Sequence, residues 1–200
     1  MLDYRVIPET SKVILEMLHE KLCENGHPVA PANVKFITPN DTSVDYHVGL
    51  HLYDVREIFG YQQTAPITNE NTRVRPPKML ELHYMLFSNP KAQNTITTDE
   101  EHAIFSRALQ VIYDAGNVPL PESEVFSIAN MEGLMVSFVN HSLEDKIKIW
   151  SAFQSPYRLS IFFTVSPVIL PSRRIDVISR VTKTTVKATQ SSSLFAKNKG

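Results

Sequence analysis

The stretch Arg75-Pro76-Pro77-Lys78-Met79-Leu80-Glu81-Leu82-His83-Tyr84-Met85-Leu86-Phe87 constrains the fold more than any other part of this chain. Adjacent prolines cannot sit inside a helix or a central strand, so they fix an extended entry. The residues after them alternate. Leu80, Leu82, Tyr84 and Leu86 make one apolar face, and Met79, Glu81, His83, Met85 and Phe87 make a mixed one. A period of two over this length predicts a core strand. The mixed face still carries three large apolar residues, so a helix or a neighbouring subunit is expected to cover it.

A chain of 200 residues with 42% apolar content suits one domain with a sizeable core. The formal net charge of −1 argues against bulk nucleic-acid binding. It hides an asymmetry. Residues 171–200 carry seven basic side chains against the single acid Asp176, a formal +6, which leaves −7 on residues 1–170. An acidic domain (1–170) followed by a basic arm (171–200) suits docking on an acidic neighbour, including another copy of the chain. The plainer alternative is a solvated, poorly ordered C-terminus. The lone Cys23 excludes an intrachain disulfide and a cysteine metal site, and a reducing site of synthesis is expected. The N-terminus has no signal-peptide pattern, and no apolar run approaches the roughly 20 residues of a membrane span.

Taken in order, residues 5–25 read as a helix closed by Asn25-Gly26. Residues 34–38 and 44–57 read as strands, and 58–74 as a loop into the central strand, which ends at Ser88-Asn89-Pro90. Residues 97–114 read as a second helix, with Thr98 and Glu101 as a capping box and Ile104, Phe105, Ala108, Leu109 and Ile112 as its buried stripe. Residues 125–128 and 134–139 read as a strand pair. Ser142 caps a third helix whose Leu143, Ile147, Trp150 and Phe153 share a face. Tyr157 to Val165 alternate as a last core strand, ended by Pro167. The fold class expected is α/β (α+β): a single mixed, mostly antiparallel sheet with three packed helices.

Catalytic patterns are sparse. The six glycines are too dispersed for a phosphate-binding loop or a dinucleotide fingerprint. His47 and His51 have the spacing of helical zinc ligands. In a strand that spacing sets them about 13 Å apart, so no metal and no cofactor is expected. Glu81 and His83, two apart on one strand face, are a conceivable acid–base pair, although polar residues on a half-covered face explain them as well. Arg73 and Arg75 could meet a phosphate or carboxylate, but arginines so placed more often tie a loop to a neighbour's acid.

Several stretches together resemble a known family. They are Asp3-Tyr4, Val48-Gly49-Leu50-His51-Leu52-Tyr53-Asp54-Val55, Arg75-Pro76-Pro77 through Leu86, and Arg107-Ala108-Leu109-Gln110. To these are added Ser142-Leu143-Glu144-Asp145 with Trp150, Pro156-Tyr157-Arg158-Leu159-Ser160, and Val165-Ser166-Pro167-Val168. The ordered set, over about residues 1–170, is similar to the tail-terminator (cap) proteins of extracellular contractile injection systems. These are phage-tail-like particles of the anti-feeding-prophage and virulence-cassette type. The resemblance implies a structural protein and no catalytic residues. It implies a ring, expected to be a hexamer, that ends the inner tube and sheath. The partners it implies are further copies of the chain, the tube and sheath proteins, and a paralogous cap protein beside it. Assembly would take place in the bacterial cytoplasm, in a particle then released or anchored. Arg73, Arg75, Glu81, His83, Arg173, Arg174 and Arg180 are the expected interface residues. The rival readings are another tube–sheath adaptor of the same particle and a small hydrolase or transferase using Glu81 and His83.

Overall fold

The computed structural model describes residues 4–23, 34–41, 43–58, 68–69, 72–89 and 97–177. In chain order the elements are α1 (Val6–Cys23), β1 (Val34–Phe36), β2 (Val48–Glu57), β3 (Thr68–Asn69), β4 (Thr72–Val74), β5 (Lys78–Ser88), α2 (Thr98–Ala115), β6 (Asn117–Pro119), α3 (Glu124–Ala129), β7 (Gly133–Val139), α4 (Leu143–Ala152), β8 (Ser160–Leu170) and β9 (Ile175–Val177). Six strands form the main sheet in the order β1-β2-β5-β8-β7-β6. Only β1 and β2 run parallel; the other neighbours are antiparallel. The Pro-led strand β5 lies at the centre, between β2 and β8.

From Leu80 onward the two faces of β5 separate as the alternation requires; Met79, expected on the mixed face, packs against the larger core instead. Leu80, Leu82, Tyr84 and Leu86 belong to the larger core, which α1, α2 and α3 supply with Ile14, Leu18, Phe105, Ala108, Ile112 and Phe126. Tyr84 stacks on Phe163 at 5.5 Å and shares a buried 2.8 Å hydrogen bond with Ser11 of α1. Ser11 Oγ already donates to the Ile7 carbonyl, so the Tyr84 hydroxyl is the donor of that bond. Burial pushes the Tyr84 phenol far above its ordinary value. On the opposite face Met85 and Phe87 join Ile37, Tyr46, Phe162 and Trp150 in a second, aromatic core under α4. A helix of the same chain therefore covers this half of the mixed face.

Several expectations are corrected. The described residues contain four helices and, beside the main sheet, a second sheet, β3-β4-β9, formed partly from the stretch read as a loop over 58–74. Residues 125–128 form helix α3 rather than a strand. Ser123 accepts from the Val125 N–H as N-cap, Asn130 closes the helix in the left-handed region at φ 53°, and Val125, Phe126 and Ala129 are buried at helical spacing. The capping box of α2 sits one residue earlier, on Thr97 and Glu100. The early strand starts at Val48, and Tyr46, before it, packs in the opposite core from Val48. The closing Asn25-Gly26 lies outside the described residues.

Strand β8 also continues past Pro167 to Leu170, with a cis Ser166–Pro167 bond. Register explains how a central strand accommodates the proline. Leu80 pairs with Val168 and Leu82 with Val165, so Ser166 and Pro167 together oppose Glu81 in a bulge. On the other side, β7 pairing stops at Met135–Ser166. Pro167 thus falls where no ladder needs its missing N–H.

Candidate functional site

Helix α4 divides the second face of the sheet. Its buried arc is Lys146, Ile149, Trp150 and Phe153, not the expected stripe. Trp150 is 1% exposed, whereas Leu143 is 61% and Ile147 46% exposed on the flank. The indole explains the rotation. Its N–H donates to Ser160 Oγ on β8 at 3.0 Å, its ring meets Phe87 edge-on at 5.5 Å, and the Arg158 guanidinium lies 5.8 Å over it. Arg158 in turn donates to the Tyr46 hydroxyl at 3.1 Å. Gly49 makes room for this packing: a Cβ there would overlap the Phe87 ring.

Below α4 the face turns polar and is only partly covered. Glu81 and His83 do lie together, with His83 Nε2 2.9 Å from Glu81 Oε2. The angle between them is not that of a hydrogen bond, and both ring nitrogens of His83 are buried without a partner. Tyr53 packs edge-on to the imidazole at 5.9 Å. A general base must reach the proton it takes. These nitrogens are buried beneath Tyr53, whereas Glu81 beside them is partly exposed. The Lys78–Glu57 pair lies on the opposite face, in register with Leu80. Beside Glu81 and His83, Arg56 donates to Asp54 at 2.7 Å, which holds the Asp54 carboxyl below its usual value. A groove of about 380 Å³ between α1 and β6, lined by Val13, Met17, Val118, Leu120, Glu16 and Glu20, lies on the other side of the sheet and does not serve this pair.

The arginines gather elsewhere. Arg73 in β4 pairs in register with Asp176 of β9, and the Arg75 N–H donates to the Arg174 carbonyl at 3.3 Å. Three of the expected interface residues are thus brought to one small sheet, with Arg173 exposed beside it. Glu81 and His83 lie apart from that sheet, on the main one, and Arg180 lies outside the described residues. The start of the basic arm pairs with β4 of its own chain.

Sequence reasoning missed a set of exposed apolar side chains. Tyr113 of α2 is 72% exposed and stacks on Phe138 of β7 at 6.3 Å, and Met135 of β7 is 60% exposed. In sequence Tyr113 reads as the end of a helix and Met135 as an interior strand residue. The only available signal was their place near the sheet edge, which strand order had to supply. Among the described residues no group of His, Cys, Asp and Glu is arranged to hold a metal ion, and no helix is long and apolar enough to cross a membrane. His51, read with His47 as a weak ligand pair, packs edge-on against Phe153 at 5.1 Å.

A mixed sheet clasped by three helices on one face and one on the other is an α+β architecture. The match to known families places it more narrowly: the model of the Pvc16 N-terminal domain matches residues 9–184, and the chain belongs to that family. Two solved structures share the fold. One is the sheath/tube terminator of the PVC extracellular contractile injection system in its extended state, with 16% identity and a TM-score of 0.63 over 94% of this chain. The other is the tube-terminating cap of the anti-feeding prophage, with 15% identity and a TM-score of 0.54 over 90% of this chain. The chain spans 65% and 60% of those two proteins. No protein of curated function matches it. The family match runs past residue 170, so it takes in β9 and the first part of the basic arm.

Proposed function

We propose that this chain is a terminator of a contractile injection particle, a ring-forming cap that ends the inner tube and sheath. The observation that carries the reading is the family match over 9–184, together with the same fold in a sheath/tube terminator and a tube-terminating cap. The chemistry of the surface is consistent with it. Of the Glu81–His83 pair the imidazole is buried, while large apolar side chains stand exposed at Tyr113, Met135, Leu143 and Ile147. Exposed apolar surface of this kind suits contact with neighbouring subunits. In this reading the ring is a hexamer closed by head-to-tail contacts.

The domain is residues 1–170, and the arm, 171–200, meets the acidic part of a neighbour or the tube and sheath below. Arg73, Arg75, Arg173, Arg174 and Arg180 form its basic contact, while Glu81 contributes to the domain's polar surface with the buried His83 behind it. The small sheet gives the arm a fixed root, because β9 is held by β4. Assembly takes place in the bacterial cytoplasm, beside a paralogous cap protein where one is present. The expected result of native mass measurement is a closed ring, with sixfold the leading stoichiometry. A ring lost on deletion of residues 178–200 would identify the arm as an assembly element. A strictly monomeric chain, both free and when extracted from particles, would overturn the proposal.

A further inference from the structure

Helix α4 is held to the sheet by histidines at both of its ends. At the C-terminal end, His51 of β2 meets Phe153 edge-on at 5.1 Å; the Ile37 backbone beside the ring favours its charged form, against the larger effect of burial. At the N-terminal end, His141 packs edge-on against Phe162 of β8 at 4.9 Å, and its Nε2 shares a 3.1 Å hydrogen bond with the Tyr53 hydroxyl. Tyr53 also packs on Phe162 at 5.4 Å and covers the buried His83. Between these ends lies Trp150. The clasp therefore consists of neutral imidazoles set against aromatic rings, where the larger core across the sheet is closed mainly by aliphatic contact.

We propose that α4 is an acid-released cover: protonation of His51 and His141 loosens it from the sheet while α1, α2 and α3 stay packed. Burial lowers the pKa of both histidines below the ordinary value, so each is charged more readily when the helix is undocked. Docking is then strongest above about pH 6.5 and weakens as the pH falls below it, by at most about tenfold per pH unit for each histidine while it titrates. The groups facing His141 are Asp145 and Lys146 on α4, and Tyr53, Arg56 and His83 on the sheet. Asp145 favours the imidazolium; Lys146, His83 and Arg56 oppose it. Glu81, beside His83, is the acid that the next charge on this face would meet. Once loosened, the helix uncovers Met85, Phe87 and Phe162, so acid turns a covered sheet face into an apolar surface open to a neighbour.

The chain's single tryptophan reports this event, because Trp150 is the residue that α4 inserts into the sheet. The test is a titration of Trp150 emission on the purified chain between pH 8 and about pH 5.5, a range that brackets the ordinary histidine value. Far-UV circular dichroism is followed in parallel. The expected result is a reversible red shift that begins near pH 6.5, with little loss of secondary structure, and that is lost in the double variant His51→Gln, His141→Gln. Should that variant fail to fold, hydrogen exchange on the unaltered chain decides the matter. Relative to the intrinsic rate at each pH, protection in residues 143–152 should fall on acidification well before protection in residues 80–86. Emission that does not move in this range, or protection that falls equally in both segments, would overturn the proposal. Neither readout depends on whether the chain caps a particle.

Discussion

The two faces of the central sheet are closed by different chemistry. One is covered by three helices carrying aliphatic side chains and a few aromatics, with one buried hydroxyl pair, Ser11–Tyr84, tying α1 to β5. The other is covered by one helix through a Trp, several rings and two histidines, and below that helix it carries the Arg56–Asp54 ion pair and Met135. Aliphatic burial does not respond to pH, whereas aromatic–imidazole contact does. The first face explains why the chain folds. The second is only partly covered and more polar.

The largest effect should come from the anchor of the weaker face. Trp150→Ala is expected to cost about 3–5 kcal/mol, read from the denaturant midpoint, because it opens a cavity and leaves Ser160 without its donor. Ile147→Ala, one turn earlier on the exposed flank, should stay within about 0.5 kcal/mol. Similar losses for the two variants would erase the distinction drawn between buried arc and flank. A smaller effect is expected from Gly49→Ala, whose methyl group must displace the Phe87 ring. Overpacking of this kind costs about 1–3 kcal/mol. If that variant also lowers the pH at which Trp150 emission shifts, the two faces are less independent than their separate cores suggest.

Much of this was legible in the residues, and the exceptions have physical causes. From Leu80 to Phe87 the alternation of β5 set both faces correctly because a strand's side-chain period is two and the stretch is long; Met79, at the strand's start, was misplaced. The helix at 124–129 was missed because a run as short as Val125-Phe126-Ser127-Ile128 fits either period. Ser123 before it was the cap signal that should have decided. Pro167 was read as a stop because proline is excluded from a regular ladder. Where β7 ends and a bulge begins depends on pairing partners more than 30 residues away in sequence. The face of α4 was assigned by apolar identity alone, yet Lys146, whose ammonium lies 5.9 Å over Phe162, occupies the buried arc while Leu143 does not. A lysine that lays its stem on a ring and keeps its charge outward does not register as an inward-facing residue in a hydrophobic pattern. Among the interface residues, the proximity of Arg73, Arg75 and Arg174 could not be read at all. It follows from the pairing of β4 with β9 across 100 residues of chain.

The central claim, that the chain ends a tube and sheath, is tested most directly by imaging particles assembled with and without it. With the chain present, the end distal to the baseplate should be closed by a ring of these subunits and the particles should share one length. Without it, that end should be open and the lengths broadly spread. Particles that remain closed and uniform in its absence would contradict the account.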